Sequence, residues 1–406
     1  MLADPRAAAT SVPDHVPPHL VRDFDLYAPP GMTDGRSEDI HAVWKAVQDT
    51  HPPLFWTPRY GGHWVATRYN EIAEVLMHHE TYSSAECFIP RNTLPYMLPV
   101  QLDPPVHGKF RKLLMPAFTP AVLGRATERA RRAAIDIIEQ VKPQGGCEFV
   151  RDFAGTMPIV AFLCLVNLPE EDQPYLRNLA IYMSSPTHPK SAGAWAELAE
   201  YVHKQIGLRR QEPRDDLITK LIHSKVDGRS LTDDEIFSLC QVVVGGGLDT
   251  VASMTSFAAC HLAKHPEVRR AIIANPELLP DAVEEITRRF GTSNLGRILK
   301  RDGTLGGVDV RSGDMLVGIF PAAGLDETVN EDPMTFRLDR QGRKHLAFGT
   351  GPHTCIGNHL ARREIRIFLE EWLSRIPEFE IKPGTTPRMT TGVVNSLEEL
   401  HLVWPA

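Results

Sequence analysis

The sequence lacks the features that would tie it to nucleic acid or to an extracellular disulfide scaffold. It has six cysteines in 406 residues and none of them forms a C-x-x-C pair, which excludes zinc ribbons and thioredoxin-type redox motifs. So few cysteines in so long a chain also exclude a disulfide scaffold and favour a reducing cytoplasm as the location. The formal net charge of −7 provides no basic field of the kind that nucleic-acid-binding proteins use.

Membrane-targeting signals are also absent. The first residues, from Met1 to Arg6, lack the apolar core of a signal peptide or membrane anchor. Residues 236–263 are nearly uncharged and long enough to span a bilayer, but Asp249 and three glycines occupy their middle. Because a carboxylate at bilayer depth is costly, this segment is predicted to be a buried helix of a soluble protein.

Helical patterns dominate the sequence. Hydrophobic residues make up 42% and charged residues 23%, which is enough to bury a large core. Residues 1–38, rich in proline and polar residues, are predicted to form an irregular arm. Residues 39–406 show no internal repeat and no low-complexity linker. Although the length suits two or three domains, the pattern predicts one mainly α domain with a minor β part.

The predicted elements are bounded by proline, glycine and Asp/Asn signals. Helices are predicted over 40–49, 70–79 with Asn70 as its cap, 106–118, 120–141, 157–166, 170–184, 192–211, 215–224, 233–264, 267–274, 280–290 and 357–375. Strands are predicted over 62–67, 296–299, 308–310, 315–319, 379–382 and near the C-terminus. Residues 83–105 are proline-rich without periodicity, which predicts a long functional loop.

The most informative motif, residues 348–357, directly precedes the last predicted helix and reads Phe-Gly-Thr-Gly-Pro-His-Thr-Cys-Ile-Gly. Glycines at 349, 351 and 357 permit tight turns and a close approach to a flat ligand. Cys355 stands just ahead of a helix N-terminus, where the dipole and exposed N–H groups favour a thiolate. A haem iron needs such an axial ligand. The alternative, an inert cysteine in a glycine turn, is disfavoured by ten patterned positions.

Two further motifs lie on predicted helices. Gly246-Gly-Leu-Asp249-Thr250 falls mid-helix, where glycines allow a groove or local unwinding. In one interpretation Thr250 bonds a helix carbonyl and Asp249 is a paired core acid. In the other, the hydroxyl and the carboxylate relay protons to a site that activates dioxygen. Glu285 and Arg288 are three residues apart and share one helix face.

Together, these three motifs resemble the haem-binding, oxygen-activation and Glu-x-x-Arg motifs of cytochrome P450 monooxygenases. The resemblance covers the chain from about residue 20 onward and is strongest to the bacterial camphor hydroxylases, through matches such as Leu102-Asp-Pro-Pro105. It implies a triangular helical prism around a buried haem b, in a single domain.

The resemblance also implies roles for individual residues. Cys355 is the axial ligand of the haem iron, and Thr250 and Asp249 are catalytic. Glu285 and Arg288, with an arginine of the segment 336–340, brace the Cys355 loop. The remaining haem contacts are Arg111, Arg297 and His353 at the propionates, with Phe348, Gly349, Gly357 and Gly246. Where camphor hydroxylases carry an aspartate that contacts a propionate, this chain has Leu295.

The resemblance to the camphor hydroxylases also implies, position by position, a largely apolar substrate pocket. Its predicted members are Phe88, Tyr96, Val100, Val242, Gly245, Gly246, Ser293, Leu295, Val393 and Val394. Tyr96 either donates its hydroxyl to a substrate ketone or is a surface tyrosine, because its loop is one residue shorter than in the camphor enzymes. Gly245 replaces a valine of those enzymes and opens space above the haem. These features predict a terpenoid or norisoprenoid ketone, such as an ionone, rather than camphor.

Electrons must come from a separate protein, since the chain carries no flavin or iron–sulfur motif. The resemblance implies a [2Fe-2S] ferredoxin and an NADH-dependent ferredoxin reductase, with the chain acting as a cytoplasmic monomer. Basic residues near Cys355 either steer the ferredoxin or are ordinary solvated charges: Lys109, Arg111, Lys112, Arg343, Lys344 and Arg362. A peroxide-driven peroxygenase, a non-catalytic haem sensor or ligand carrier, and a cofactor-free helical protein remain as alternatives.

Overall fold

Helices form most of the chain, as the sequence predicts. The computed structural model describes residues 10–405 except 93, 95, 167, 169 and 184–189. In chain order the helices are α1 (Ile40–Thr50), α2 (Tyr69–Met77), α3 (Val106–Leu114), α4 (Pro120–Val141), α5 (Met157–Val166), α6 (Gln173–Met183), α7 (Ser191–Gln211), α8 (Leu217–His223), α9 (Asp233–Lys264), α10 (Pro266–Ala274), α11 (Leu279–Arg289), α12 (Phe320–Gly324), α13 (Asn358–Ile367) and α14 (Leu373–Arg375). A π-helical turn, Phe368–Trp372, joins the last two.

The strands are short and are interspersed among the helices along the chain. They are β1 (Leu54–Thr57), β2 (His63–Ala66), β3 (Tyr82–Ser83), β4 (Gly146–Glu148), β5 (Lys225–Val226), β6 (Arg229–Ser230), β7 (Asn294–Leu299), β8 (Gly303–Leu305), β9 (Val308–Val310), β10 (Met315–Ile319), β11 (Glu380–Ile381), β12 (Arg388–Thr390), β13 (Ser396–Glu399) and β14 (His401–Val403). The largest sheet has the order β1-β2-β10-β7-β3. Val317 of β10 pairs with Val65 in parallel and with Gly296 in antiparallel register.

The long helix α9 runs through the core and begins at a capping box. The Thr232 side chain accepts from the Glu235 backbone N–H at 3.2 Å, and Glu235 accepts from the Thr232 N–H at 2.9 Å, satisfying two donors of the first turn. The helix packs against α5, α6, α7 and β13. No described helix combines the length and the apolar character that a bilayer crossing requires.

The structure differs from the prediction in several places, among them the unpredicted strands β3 to β6 and β8, and two of the differences have a clear physical cause. Asn70 is not the cap of α2, because the helix begins one residue earlier and the Asp326 carboxylate accepts from the Tyr69 backbone N–H at 2.8 Å. This cap comes from a residue distant in sequence, so no local pattern signals it. Strand β1 was not predicted. All four of its residues are buried, so its sequence does not alternate between apolar and polar residues as a half-buried strand does.

The N-terminal arm is anchored to the sheet. Within residues 10–38 the structure has one 3-10 turn, Pro18–Leu20. The Arg22 backbone N–H donates to the Trp56 carbonyl at 2.8 Å, and Phe24 and Leu26 are buried in the main core. The arm is irregular, as its composition predicts, and its apolar residues complete the packing around β1.

Candidate active site

The loop that carries Cys355 is held in shape by its own backbone. The Cys355 N–H donates to the Phe348 carbonyl at 2.9 Å. Gly349 and Gly351 adopt φ values of +64° and +72°, and a Cβ on Gly351 would lie 2.7 Å from the Leu76 carbonyl oxygen at the end of α2. Residues with side chains rarely adopt such φ values. The glycines therefore let the loop turn tightly and dock against α2.

Cys355 lies just before α13, as predicted. Burial raises the pKa of its thiol, whereas the backbone N–H of Gly357 and the guanidinium groups of Arg111 and Arg362 act in the opposite direction. In the protein without a bound metal, the effect of desolvation on the pKa of Cys355 therefore outweighs that of the N–H groups at the helix N-terminus. A metal cation bound to Sγ would deprotonate the thiol outright. The site consequently suits a cysteine that is a thiolate only when it is a ligand.

A cavity lies between the Cys355 loop and the middle of α9. Cys355, Phe348, Gly349 and Gly357 line it from the loop side, and Gly246, Gly247 and Thr250 line it from α9. A Cβ added to Gly246 or Gly247 would meet no heavy atom within 4 Å, so both glycines leave open space beside the helix. The predicted loop and helix motifs are therefore brought together around one cavity.

The α9 motif combines elements of both sequence interpretations. The Thr250 Oγ1 donates to the Gly246 carbonyl at 2.9 Å, which is the helix bond of the structural interpretation. Asp249, however, is not paired, because its Oδ2 is buried without a hydrogen-bond partner in the described part of the chain. Desolvation raises the pKa of Asp249 to about 6. A carboxyl group with this pKa can gain and lose a proton near neutral pH.

Two arginines of the cavity wall have no carboxylate partner among the described residues. Arg111 Nη2 donates to the Thr354 carbonyl at 2.6 Å, and Arg297 Nη1 donates to the Gly296 carbonyl at 2.7 Å. Neither forms an ion pair with a described residue, and burial lowers the pKa of both guanidinium groups. Buried cations of this kind need an anionic partner. The predicted propionate contacts Arg111 and Arg297 are thus positioned to bind a dianionic ligand.

Two histidines stand beside these arginines. His353 Nε2 lies 3.0 Å from Ser84 Oγ, and its ring centroid lies 4.0 Å from that of His107. Burial and the neighbouring arginines lower the pKa of His107 to about 4 and that of His353 to about 3, so both are neutral donors at pH 7. Sequence reasoning missed His107. Its spacing of four from Arg111, which places both on one face of α3, could have identified it.

Part of the predicted substrate pocket lines the same cavity. Val100, Val242, Ser293 and Leu295 are wall residues. Gly245 lies on α9, but its surroundings fall outside the described part of the structure. The wall also contains apolar residues that the sequence did not single out, since α5 and α9 bring them there only in the folded chain: Phe162, Leu165 and Met254.

Four predicted pocket residues do not line this cavity. Phe88 is buried in the 83–105 loop. The Val393 carbonyl accepts from the Asn294 N–H at 2.8 Å, and Val394 forms an isolated β-bridge with Ser293. Tyr96 is 54% exposed and its hydroxyl donates to the Gln101 carbonyl at 3.3 Å. The structure therefore places Tyr96 on the surface, which corresponds to the second of its two interpretations, because the short loop bonds its hydroxyl locally.

Glu364 is an acid of the cavity wall that sequence reasoning did not assign. It lies on α13, is 2% exposed and has an Oε1 with no hydrogen-bond partner among the described residues. Desolvation raises the pKa of its carboxyl group well above the usual range. Such an acid is uncharged at pH values where an exposed glutamate is ionised.

The Glu-x-x-Arg motif lies at the centre of a buried ionic network. Arg288 donates to Glu285 through Nε at 2.9 Å and Nη2 at 2.7 Å, and both side chains are fully buried. Arg340 Nε donates to the same carboxylate at 3.0 Å, as the motif predicts. Arg343, which the sequence did not assign here, lies 3.5 Å from Glu285. The network fixes the segment that leads into the Cys355 loop.

Comparison with known proteins decides the family. The family model described as "Cytochrome P450" matches residues 163–398, and the curated relatives support it. "Probable cytochrome P450 127A1" of Sinorhizobium fredii is 36% identical, with 98% of each chain covered. The chain is a cytochrome P450. "Steroid C26-monooxygenase" of Mycolicibacterium smegmatis is 32% identical, over 84% of this chain and 87% of the relative.

Solved structures show that this P450 has the family fold throughout. The crystal structure of CYP101J2 matches with a TM-score of 0.89 and 38% identity, covering 98% of this chain and 100% of the other. That of CYP101C1 matches with a TM-score of 0.88 and 34% identity at the same coverage. The predicted membership of the bacterial P450 family, the mainly α fold and monooxygenase activity are confirmed. The reading as a cofactor-free helical protein was wrong, because P450 proteins bind haem.

The cavity fits the haem that this family binds. Cys355 would be the thiolate ligand of the iron, and Gly246 and Gly247 leave space beside α9 for a flat ring. Arg111 and Arg297, which form no ion pair with a described residue, would bind the two propionates. His107 and His353 add neutral donors beside them. When bound, haem supplies the redox chemistry of dioxygen activation, and a cysteine ligand favours O–O cleavage.

Glu364 leads to a prediction about stability. Because burial raises its pKa in the folded state, ionising it costs more in the folded than in the unfolded protein. The destabilisation should therefore grow as pH rises above about 4.3, the value of an exposed glutamate. Glu364→Gln is expected to stabilise the haem-bound protein at pH 8 by about 1–3 kcal/mol and much less at pH 5. Thermal denaturation across this range measures it. The exposed Glu380→Gln is the control, and equal effects of both variants would contradict the prediction.

Proposed function

We propose that this cytochrome P450 hydroxylates an unactivated C–H bond of a small terpenoid or norisoprenoid ketone, ionone-like or camphor-like. The observation that carries the proposal is the apolar wall of the haem cavity, formed by Val100, Val242 and Leu295 together with residues of α5. Such walls orient hydrocarbon-like ligands by shape. Leu295 in place of a charged residue keeps this part of the wall apolar. We also propose that the protein is a monomer and lies in the cytoplasm. The six free thiols fit this reducing location.

In this proposal Asp249 and Thr250 supply protons to the oxygen site. Hydroxylation consumes two electrons and two protons for each dioxygen and releases one water. Asp249, with a pKa near 6 and a free Oδ2, takes up protons from water and returns them. The Thr250 hydroxyl passes them into the cavity when it turns away from the Gly246 carbonyl. This arrangement disfavours a peroxide-driven peroxygenase, because peroxide already carries the two protons.

The substrate class is tested with the haem-bound enzyme and a panel of terpenoids. A substrate that enters the cavity shifts the haem spin state, and β-ionone is expected to bind at least about tenfold more tightly than camphor, since space above the haem favours the longer ketone. Product should form when ferredoxin, reductase and NADH are supplied. Val242→Phe, which fills the cavity, should weaken ionone binding.

Three results would contradict parts of this proposal. Tighter binding of camphor than of ionone would overturn the substrate class. Ligand binding without any turnover under reducing conditions would favour a haem sensor or ligand carrier. Turnover with peroxide but not with ferredoxin would favour a peroxygenase.

The ferredoxin is proposed to dock near Cys355 through exposed lysines. Of the six basic residues predicted there, four already have partners or lie in the cavity wall: Lys109 pairs with Asp227, Arg343 with Asp281, Arg362 with Glu284, and Arg111 lines the haem cavity. Lys112 and Lys344 are exposed and form no ion pair with any described residue. They are the charges most available to an acidic partner.

The double variant Lys112→Glu/Lys344→Glu is expected to slow ferredoxin association about tenfold at low ionic strength, with the difference shrinking as salt increases. Stopped-flow reduction of the haem protein measures the rate. The control is Lys142→Glu/Lys204→Glu, which makes the same charge change at the end of α4 and on α7, respectively. An equal slowing by both double variants would show a net-charge effect and refute the patch.

A further inference from the structure

A second cavity lies near the C-terminal end of α9, beyond the turns of this helix that line the haem cavity. It has a volume of about 470 Å³ and is formed by the start of α1, the last two turns of α9, the start of α10, the end of α11 and the segment around Phe336. This volume falls within the roughly 300–1,000 Å³ of small-molecule sites. None of its lining residues also lines the haem cavity, so a ligand here would not touch the haem.

The wall of this second cavity contains a buried arginine whose bonding is incomplete. Arg289 is 5% exposed, and its Nη1 has no hydrogen-bond partner among the described residues. Its Nε donates to the Met334 carbonyl at 3.1 Å, and its Nη2 lies 3.7 Å from Asp39 Oδ2. The other oxygen of Asp39 caps α1 through the N–H groups of His41 and Ala42. The charge of Arg289 is therefore only partly balanced, and Nη1 is a buried donor that no described residue satisfies.

Aromatic rings form much of the remaining wall. Phe290 and Phe336 are stacked with centroids 6.2 Å apart, and the His261 ring lies 4.8 Å from Phe336. His261 Nε2 is also buried without a partner among the described residues. Burial lowers the pKa of His261 to about 3, so the ring is neutral at pH 7 and can donate from Nε2 in one tautomer.

The charges at the rim select the kind of anion. Besides Arg289, the cavity is lined by the acids Glu38, Asp39 and Glu267 and by Lys264 and His265, of which His265 pairs with Glu267 at 3.1 Å. Three carboxylates, against the two cations Arg289 and Lys264, would repel a phosphate or another multiply charged ion more strongly than an ion of single charge. A ligand with one negative charge and an aromatic ring could bind Arg289 through the charge and pack against the phenylalanine rings.

We propose that this second cavity binds an aromatic monocarboxylate, with the carboxylate on Arg289 Nη1 and His261 Nε2 and the ring against Phe290 and Phe336. The site is distinct from the substrate cavity. It is positioned to affect the segment around residues 333–335, because Arg289 holds the Met334 carbonyl while its neighbour Arg288 holds the Pro333 carbonyl.

The test uses the haem-bound protein and 4-fluorobenzoate, followed by fluorine NMR. A haem-coordinating azole, 4-phenylimidazole, is added in excess to fill the haem cavity. We expect saturable binding of one 4-fluorobenzoate that the azole does not displace, and weaker binding of the neutral 4-fluorobenzamide. Arg289→Gln should lower the affinity for 4-fluorobenzoate about tenfold or more, which is the loss expected for a hydrogen bond to a charged group. Arg270→Gln, which removes an exposed arginine of α10 that pairs with Glu378 outside the cavity, should leave binding unchanged.

A second variant guards against misfolding of the arginine variant. Val268→Trp fills the cavity from a partly exposed position of α10 and should abolish binding while the haem spectrum stays unchanged. Absence of saturable binding to the wild-type protein would overturn the proposal. Displacement by the azole, or an affinity that neither Arg289→Gln nor Val268→Trp changes, would overturn it as well.

Discussion

Arg288→Ala is expected to leave most of the purified protein without haem and to lower the free energy of unfolding by about 3–5 kcal/mol. The guanidinium group is fully buried and donates to Glu285 and to the Gly324 and Pro333 carbonyls. Removing it leaves the Glu285 carboxylate uncompensated in the core and frees the segment that leads into the Cys355 loop. Because a domain is stable by only about 5–15 kcal/mol in total, such a loss should prevent the loop from holding haem.

Haem-to-protein ratio and denaturant unfolding measure this effect. Arg229→Ala serves as the control, because it breaks the ion pair that the exposed Arg229 forms with Glu235, and surface ion pairs contribute little to stability. Glu285→Gln/Arg288→Met removes both buried charges and should recover part of the stability. Normal haem content and stability in Arg288→Ala, with activity lost, would instead assign the arginine a direct part in turnover.

The helices were predictable where local signals coincide. The bounds of α4 and α9 agree with the sequence prediction, because Pro120 opens one helix and the Thr232 capping box opens the other. The Cys355 loop and the α9 motif were predictable from residue types and order alone. That they meet at one cavity followed from the resemblance and is seen in the structure.

Other features depend on contacts between residues far apart in sequence. Asp326 caps α2 across more than 250 positions, and Arg343 reaches Glu285 from another segment. Glu364 stands on an amphipathic helix where a glutamate is ordinary, and only the fold shows that this one faces a cavity without a partner. The second cavity is lined by residues from separate parts of the chain, and none of these lining residues belongs to one of the three motifs.

Thr250→Ala is expected to uncouple the enzyme: NADH should still be consumed with substrate bound, but most of its electrons should appear as hydrogen peroxide. Peroxide requires the same two electrons and two protons as hydroxylation but leaves the O–O bond intact. Among the cavity-lining residues of α9, Thr250 is the one with a hydroxyl group. Without Oγ1, protons from Asp249 would reach the cavity only through disordered water. O–O cleavage should then be slower than the release of peroxide.

The hydroxyl can be tested separately from the helix it belongs to. Ser256 lies on α9 and donates to the Ala252 carbonyl at 2.7 Å, the same bond that Thr250 makes with Gly246, but it does not line the cavity. Ser256→Ala should therefore keep product per NADH unchanged, and Thr250→Ser should restore most of it. If Thr250→Ala also keeps a normal product yield, the Thr250 hydroxyl serves the helix alone and the proton path must start elsewhere. In that case Glu364, a buried acid of the same cavity whose pKa is raised by desolvation, would be the next group to replace.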